Sequence, residues 1–248
     1  MSVSRDDLLV TLNELLQPHL FEDYCPNGLQ VEGKHQITRL VTGVTASHAL
    51  IDAAVAANAD AILVHHGYFW KGENPTLIGM KQRRIKKLLE NDINLFAYHL
   101  PLDAHPQYGN NVQLGARLGL RVTDNFGGVG LIGQLAQPMT GSEFAAHIYH
   151  VLNREPLHVD SVGKVIRAVA WCTGAAQNYI EKALPFAVDA FLTGEVSEPT
   201  VHIARENGIH FFAAGHHATE RYGVQAVGQY VAEKININQL FVDIPNPA

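Results

Sequence analysis

Hydrophobic positions recur along this chain with two periods, and the alternation between them predicts its elements. Ser4 precedes Leu8, Leu9, Leu12, Leu15 and Leu16 at helical spacing, which predicts a helix over 4–17 with Ser4 as N-cap. Residues 25–33 read as a turn-rich loop, because Pro26 and Asn27-Gly28 punctuate them. A β-rich run, Arg39-Leu-Val-Thr-Gly-Val-Thr45, then leads to an alanine-rich helix that Ser47 caps and that runs to Asn58. Asp60-Ala-Ile-Leu-Val-His-His66 has strand length and ends in polar residues. A basic helix over 79–91 precedes a third apolar run, Ile93-Asn-Leu-Phe-Ala-Tyr98. The second half repeats this grammar. Thr140 and Glu143 have capping-box spacing before a helix to Asn153. Strand-like runs follow at 165–171, 188–193 and 209–214, with helical stretches between them, and a last one at Gln239–Ile244 is closed by Pro245. Alternating strands and helices predict an α/β fold of right-handed βαβ units, with mostly parallel sheets flanked by helices.

The halves also match residue by residue. Ile51–Leu63 reads IDAAVAANADAIL and Ile180–Leu192 reads IEKALPFAVDAFL, identical at five of thirteen positions including the Asp-Ala that opens each strand. Upstream, Thr42-Gly43 answers Thr173-Gly174. Downstream, Leu95-Phe-Ala-Tyr-His99 answers Phe211-Phe-Ala-Ala-Gly-His216 with one residue inserted. Shared core composition would explain one match. Three in order favour an internal duplication. The expected division is a first α/β half at 1–125 and a second at 126–248, interleaved or tightly packed, since no Ser-, Pro- or Gly-rich linker separates them.

With 248 residues, 47% hydrophobic and 17% charged, the chain suits one large or two small globular domains, not a disordered or disulfide-built chain. No apolar run reaches the roughly 20 residues needed to span a bilayer, and the polar, acidic start does not read as a signal peptide. Cys25 and Cys172 form no CxxC and agree with a cytoplasmic location. The net charge of −6 argues against a nucleic-acid partner as the leading expectation. The unusual number is 14 histidines.

Three clusters fall just past predicted strands: His65-His66, His99-Leu-Pro-Leu-Asp103 and His216-His-Ala-Thr-Glu220. Ligands of open α/β sheets bind beyond the carboxyl ends of strands, so the clusters can converge on one crevice. His216 and Glu220, four apart, share a face of a helix and can hold one cation. His99 and Asp103 have the same separation, but Pro101 opposes a regular helix there, so a loop is expected to present them. Imidazoles with carboxylates and no thiolate suit Zn, Fe, Mn, Co or Ni. Five or six such ligands exceed one tetrahedral site and predict two divalent ions about 3.5–4 Å apart, each lowering the pKa of its bound water towards about 7 to give a hydroxide nucleophile.

A lone histidine at a strand end is more often a structural residue than a ligand. That bland reading is taken for His19, His35, His48, His147, His150, His158, His202 and His210, and His217 is expected to point away from the site. His105 is intermediate. The coincidence of a His-His pair with two His-x-x-x-acid units places His65, His66, Asp103, His216 and Glu220 ahead of it. Tyr68-Phe69-Trp70 either floors a pocket that stacks a flat ring or covers a strand end, and Glu195 either reaches the site or is a surface acid. Lys81, Arg83, Arg84, Lys86 and Lys87 read as a solvated face before a phosphate contact. No P-loop, GxGxxG, GxSxG or HExxH is present.

The stretches Pro26-Asn-Gly-Leu-Gln-Val31, Val64-His-His-Gly-Tyr-Phe-Trp70, His99-Leu-Pro-Leu-Asp103, Thr193-Gly-Glu195 and Gly215-His-His-Ala-Thr-Glu220 resemble the GTP cyclohydrolase I type 2 homologue family, also called NGG-interacting-factor-like. The resemblance implies two intertwined α/β halves from a duplication, a dinuclear metal centre and a ring-shaped homohexamer. It carries the family's ligands onto the same five residues. Larger relatives insert an extra domain mid-chain, for which 248 residues leave little room. Many relatives read His-Thr-Asn-Leu-Asp where this chain has His99-Leu-Pro-Leu-Asp103, which alters the pocket wall but keeps the acid. The expected function is a metal-dependent hydrolase acting on a nucleotide or similar small molecule, with His99 as general acid/base. The competing expectations are a non-catalytic metal-binding ring and a nucleic-acid-associated ring in DNA maintenance.

Overall fold

A local signal starts the first helix. In the computed structural model, which describes residues 2–248, Ser4 Oγ accepts from Asp7 N at 3.0 Å and the Asp7 carboxylate returns to Ser4 N at 3.3 Å. This capping box satisfies donors that the first turn of helix Arg5–Leu16 leaves open. The same device, built from Thr140 and Glu143, begins helix Gly141–Leu152.

The chain forms two compact units, residues 1–108 with 223–244, and residues 109–222 with 245–248. This departs from the expected cut at 125/126 for two reasons. Strand Leu120–Phe126 pairs antiparallel with Gly130–Thr140 and so belongs to the second unit. Strand Asn238–Phe241 pairs in parallel with Arg39–Thr45 and so belongs to the first.

The sheet of the first unit has strand order Asn238–Phe241, Arg39–Thr45, Ala61–His66, Asn94–Ala97 and Gly28–Val31. All neighbours are parallel except the last pair. On one face, Leu8, Leu12 and Leu16 pack with Val224, Val227 and Val231 over Leu40, Leu63 and Phe96. On the other, Leu50, Ile51, Ile85 and Leu88 pack over Val41, Ile62, Val64 and Leu95. Helices on both faces account for the unbroken apolar strands.

The six-stranded sheet of the second unit runs Leu120–Phe126, Gly130–Thr140, Val165–Trp171, Ala190–Thr193, His210–Ala213 and Leu157–Val159. Its third, fourth and fifth strands in that order are parallel, and the edge strand Leu157–Val159 is antiparallel to its neighbour, as Gly28–Val31 is in the first sheet. Phe144, Ile148 and Leu152 cover one face, and Ile180, Ala183 and Ala204 the other.

Two expectations are corrected. Residues 28–31 form an edge strand within the expected loop, anchored by its pairing to residues 95–97. Pro101 does not prevent a helix: Leu100–Ala104 is one, with Pro101 in the first turn, where no intrahelical N–H is required. Among the described residues, no helix is long and apolar enough to cross a membrane.

Each central strand begins with a buried or half-buried aspartate that grips the strand before it. Asp60 Oδ2 accepts from Thr38 N, Thr38 Oγ1 and Arg39 N at 2.7, 2.6 and 2.9 Å. Asp189 Oδ2 accepts from Arg167 N and Ala168 N at 2.9 and 3.0 Å. Asp60→Ala leaves those donors without their acceptor and is expected to cost about 2–4 kcal/mol in urea unfolding. A loss below about 0.5 kcal/mol, the range of an ordinary surface change, would contradict this role.

Candidate functional site

In the first unit, Ala61–His66 delivers His65 and His66 at its carboxyl end, and the adjacent parallel strand continues through Tyr98 into His99 and helix Leu100–Ala104. His65 is fully buried, with Nδ1 at 3.1 Å from the Tyr98 carbonyl oxygen. A carbonyl only accepts, so Nδ1 holds the proton and Nε2 keeps its lone pair. Nε2 lies 3.5 Å from Asp103 Oδ1, a carboxylate that is itself buried. His66 sets Nδ1 at 3.1 Å from Thr45 Oγ1, across the pairing of Thr45 with His66. The His65 and His66 ring centres are 4.4 Å apart and lie 5.1 and 5.9 Å from that of His99. Ligand atoms of the three imidazoles fall within 4.8 Å of one another, a group that could hold a metal ion.

His99 is held from behind by a residue the motifs did not single out. Its Nδ1 is 2.7 Å from Asp23 Oδ1. Asp23 also accepts from Asn27 Nδ2 at 2.9 Å and Leu100 N at 2.8 Å, while Asn27 Oδ1 accepts from His99 N at 2.8 Å. Burial pushes the Asp23 carboxyl up, but the hydrogen bonds from His99 and Asn27 outweigh it and set the group at about 2. Asp23 is therefore ionised at neutral pH and fixes the proton of His99 on Nδ1. The available signal was an acid just before the turn that Pro26 and Asn27-Gly28 mark.

In the second unit, His216 opens the short helix His216–Thr219 and Glu220 caps it. His216 Nε2 is 3.1 Å from Glu220 Oε2, and His216 Nδ1 is 2.7 Å from Glu195 Oε1. Glu195 thus reaches this group. Burial pulls the His216 imidazole down, but Glu220 and then Glu195 raise it to about 9. Glu220 is buried against Gly174, where an added Cβ would collide with its Oε1. Gly174 is also in the left-handed region at φ 69°, which favours glycine.

Each unit therefore presents an imidazole with one nitrogen held by an acceptor and the other 3.1–3.5 Å from a buried carboxylate oxygen. Histidine ligands of metals have this form, the outer acceptor fixing the tautomer. The donor set fits divalent ions that take nitrogen and oxygen ligands.

The other candidates separate. Tyr68 is buried, with its hydroxyl donating to the Ala46 carbonyl at 2.7 Å, so it is a core residue. Trp70 meets His99 edge-on at 4.9 Å between ring centres and lies 6.0 Å from His66. His105 Nδ1 accepts from Gln107 N and Tyr108 N, a turn contact. In the basic helix Gly79–Glu90, Lys81 pairs with Glu73, Lys86 with Glu90 and Lys87 with Asp52. Those pairings answer much of its charge internally. Among the histidines read as bland, His158 and His210 lie in contact.

The chain matches one family model and is similar over its length to curated and solved proteins. The family model Duf34/NIF3 (NGG1p interacting factor 3) matches residues 3–247. A Pseudomonas aeruginosa protein named GTP cyclohydrolase 1 type 2 homolog is 59% identical over 253 residues, covering 100% of both chains. The solved structure described as protein ybgI, of unknown function, superposes with TM-score 0.97 at 53% identity over 99% of this chain and 100% of that one. TTHA1606 from Thermus thermophilus gives TM-score 0.92 at 31% identity, over 99% and 100%.

The low setting of Asp23 fixes the sign of a pH effect. A carboxyl depressed in the folded state adds stability above its unfolded value of 3.8, and this is lost as pH falls through about 2. Wild type should therefore lose roughly 1–2 kcal/mol more than Asp23→Asn between about pH 5 and 2 in urea denaturation. Equal acid limbs would contradict the assignment.

Proposed function

The chain belongs to the Duf34/NIF3 family, and from that premise we propose that it is a dinuclear metal-dependent hydrolase acting on a nucleotide or a similar small heterocyclic compound. The ligands are His65, His66 and Asp103 from the first unit and His216 and Glu220 from the second. The observation that carries this reading is the pair of oriented imidazoles, each with a buried carboxylate beside its second nitrogen. The relatives' name, GTP cyclohydrolase 1 type 2 homolog, supports the substrate class.

When bound, divalent ions polarise a substrate oxygen and lower the pKa of water towards about 7. The remaining work falls to this chain's own side chains. Asp23 holds a proton on His99 Nδ1, which leaves Nε2 as the nitrogen that takes a proton from, or returns one to, the reacting group. Trp70, edge-on to His99, offers a face on which a flat base stacks. The Tyr98 carbonyl and Glu195 keep the His65 and His216 rings in place. Asp103 and Glu220 would supply carboxylate oxygens to hold the ions. By the resemblance of its motifs, the assembly is a homohexameric ring. The two buried cysteines, Cys25 and Cys172, suit a cytoplasmic setting.

The test uses protein stripped of metal and reloaded with Mn, Fe, Zn or Co, then challenged with a nucleotide panel under chromatographic readout. Turnover is expected with at least one ion, and none at full occupancy would end the hydrolase reading. His65→Ala, Asp103→Ala and Glu220→Ala should each lower bound metal measured by mass spectrometry. Glu195→Gln, which keeps the ligands but weakens their support, should lower metal affinity roughly 10–100-fold.

A further inference from the structure

We propose a separate divalent-cation site in the second unit, formed by His158, Asp160 and His210 and suited to zinc or a similar ion that takes imidazole ligands. His158 Nε2 and His210 Nδ1 are 3.1 Å apart, and Asp160 Oδ1 lies 3.3 Å from His210 Nδ1 and 3.8 Å from His158 Nε2. Ligands about 2.0–2.1 Å from a tetrahedral ion stand about 3.3 Å from one another, so these three atoms approximate one face of that tetrahedron.

The surroundings prepare the nitrogens for this role. His210 is buried, and its Nε2 is 3.0 Å from the Lys164 carbonyl oxygen. That carbonyl keeps the proton on Nε2 and the lone pair on Nδ1, as an outer acceptor does for a metal-bound histidine; the lone pair accepts from Ser161 N at 3.2 Å, a contact that ion binding would exchange for the metal bond. The His158 ring stacks on Phe212 at 4.4 Å and an interplanar angle of 9°, which fixes its plane. His158 and Asp160 also line a cavity of about 310 Å³ together with Ser142 and Lys164, which leaves room for water or an anion at a fourth position.

A purely structural role needs fewer polar groups than are present. At the equivalent strand start in the first unit, Asn94 clamps the neighbouring loop by accepting from Gly33 N and donating to the Lys34 carbonyl, each at 2.8 Å. His210 makes the same pair of contacts, with Ser161 N at 3.2 Å and the Lys164 carbonyl at 3.0 Å. An amide therefore suffices as a clamp. The second unit has an imidazole there and adds His158 and Asp160 around its lone pair.

Zinc binding to metal-stripped, full-length protein tests this, with stoichiometry read by calorimetry and elemental analysis. His158→Gln and Asp160→Asn change partly exposed side chains, and circular dichroism checks their folding. Each variant is expected to bind one zinc ion fewer per chain than wild type, or to bind it at least tenfold more weakly, and to lose part of the zinc-induced rise in Tm. A chain carrying His65→Ala, His66→Ala and Glu220→Ala is expected to retain one ion, which His158→Gln then removes. Stoichiometry and Tm response unchanged by both single variants would overturn the site, as would no retained zinc in the triple variant. Either result leaves the hydrolase reading standing, and failure of nucleotide turnover leaves this site standing.

Discussion

In each unit, a single carboxylate at the head of the central strand locks that strand to the one before it. Asp60 takes the successive N–H groups of Thr38 and Arg39 where the preceding strand begins, and Asp189 those of Arg167 and Ala168 within it. That grip holds the parallel register, which places Leu40 opposite Ala61 and Val169 opposite Ala190. Side chains alternate along a strand, so a slip of one residue would exchange the faces of the sheet. His65 would then leave the Tyr98 carbonyl that orients it. The same aspartate joins the next strand as well: the Asp60 carbonyl accepts from Asn94 N and the Asp189 carbonyl from His210 N. Strand order, register and the placing of polar strand ends thus share one local cause, present twice.

Parallel pairing supplies the second half of the logic. Strands that run the same way end on the same edge, and their final residues meet there without any special loop. Val64 lies opposite Ala97, so the residues after them, His65-His66 on one strand and Tyr98-His99 on the next, become neighbours. The apolar strand bodies keep this edge anchored in the core, and only the ends carry chemistry. Buried polar groups there need partners, and each unit provides them through a backbone carbonyl or a second acid.

What could be read in advance depended on how local each cause was. Ser4 with Asp7 and Thr140 with Glu143 define their helix starts within four residues, and both starts fall where the spacing predicts. The apolar runs that become Arg39–Thr45, Ala61–His66 and Val165–Trp171 announce themselves because both faces of each sheet are covered. Strand Leu120–Phe126 gave no such signal, since its five middle residues are exposed and its order comes from pairing with Gly130–Thr140. Strand Gly28–Val31 was hidden by turn residues, and its order likewise comes from pairing. The histidines and acids at the strand ends were legible as motifs. Asp23 was not, because its partner His99 lies 76 positions away.

The return of Asn238–Phe241 to the edge of Arg39–Thr45 bears on the order of biosynthesis. Residues 109–222 leave the ribosome as one contiguous stretch holding all six strands of their sheet. The earlier-made segment must wait for residues 238–241, made after the whole of 109–222, before its outermost strand arrives. The portion translated second is therefore free to mature first, while the nascent amino-terminal part keeps an open β-edge exposed to chaperones or to unwanted pairing.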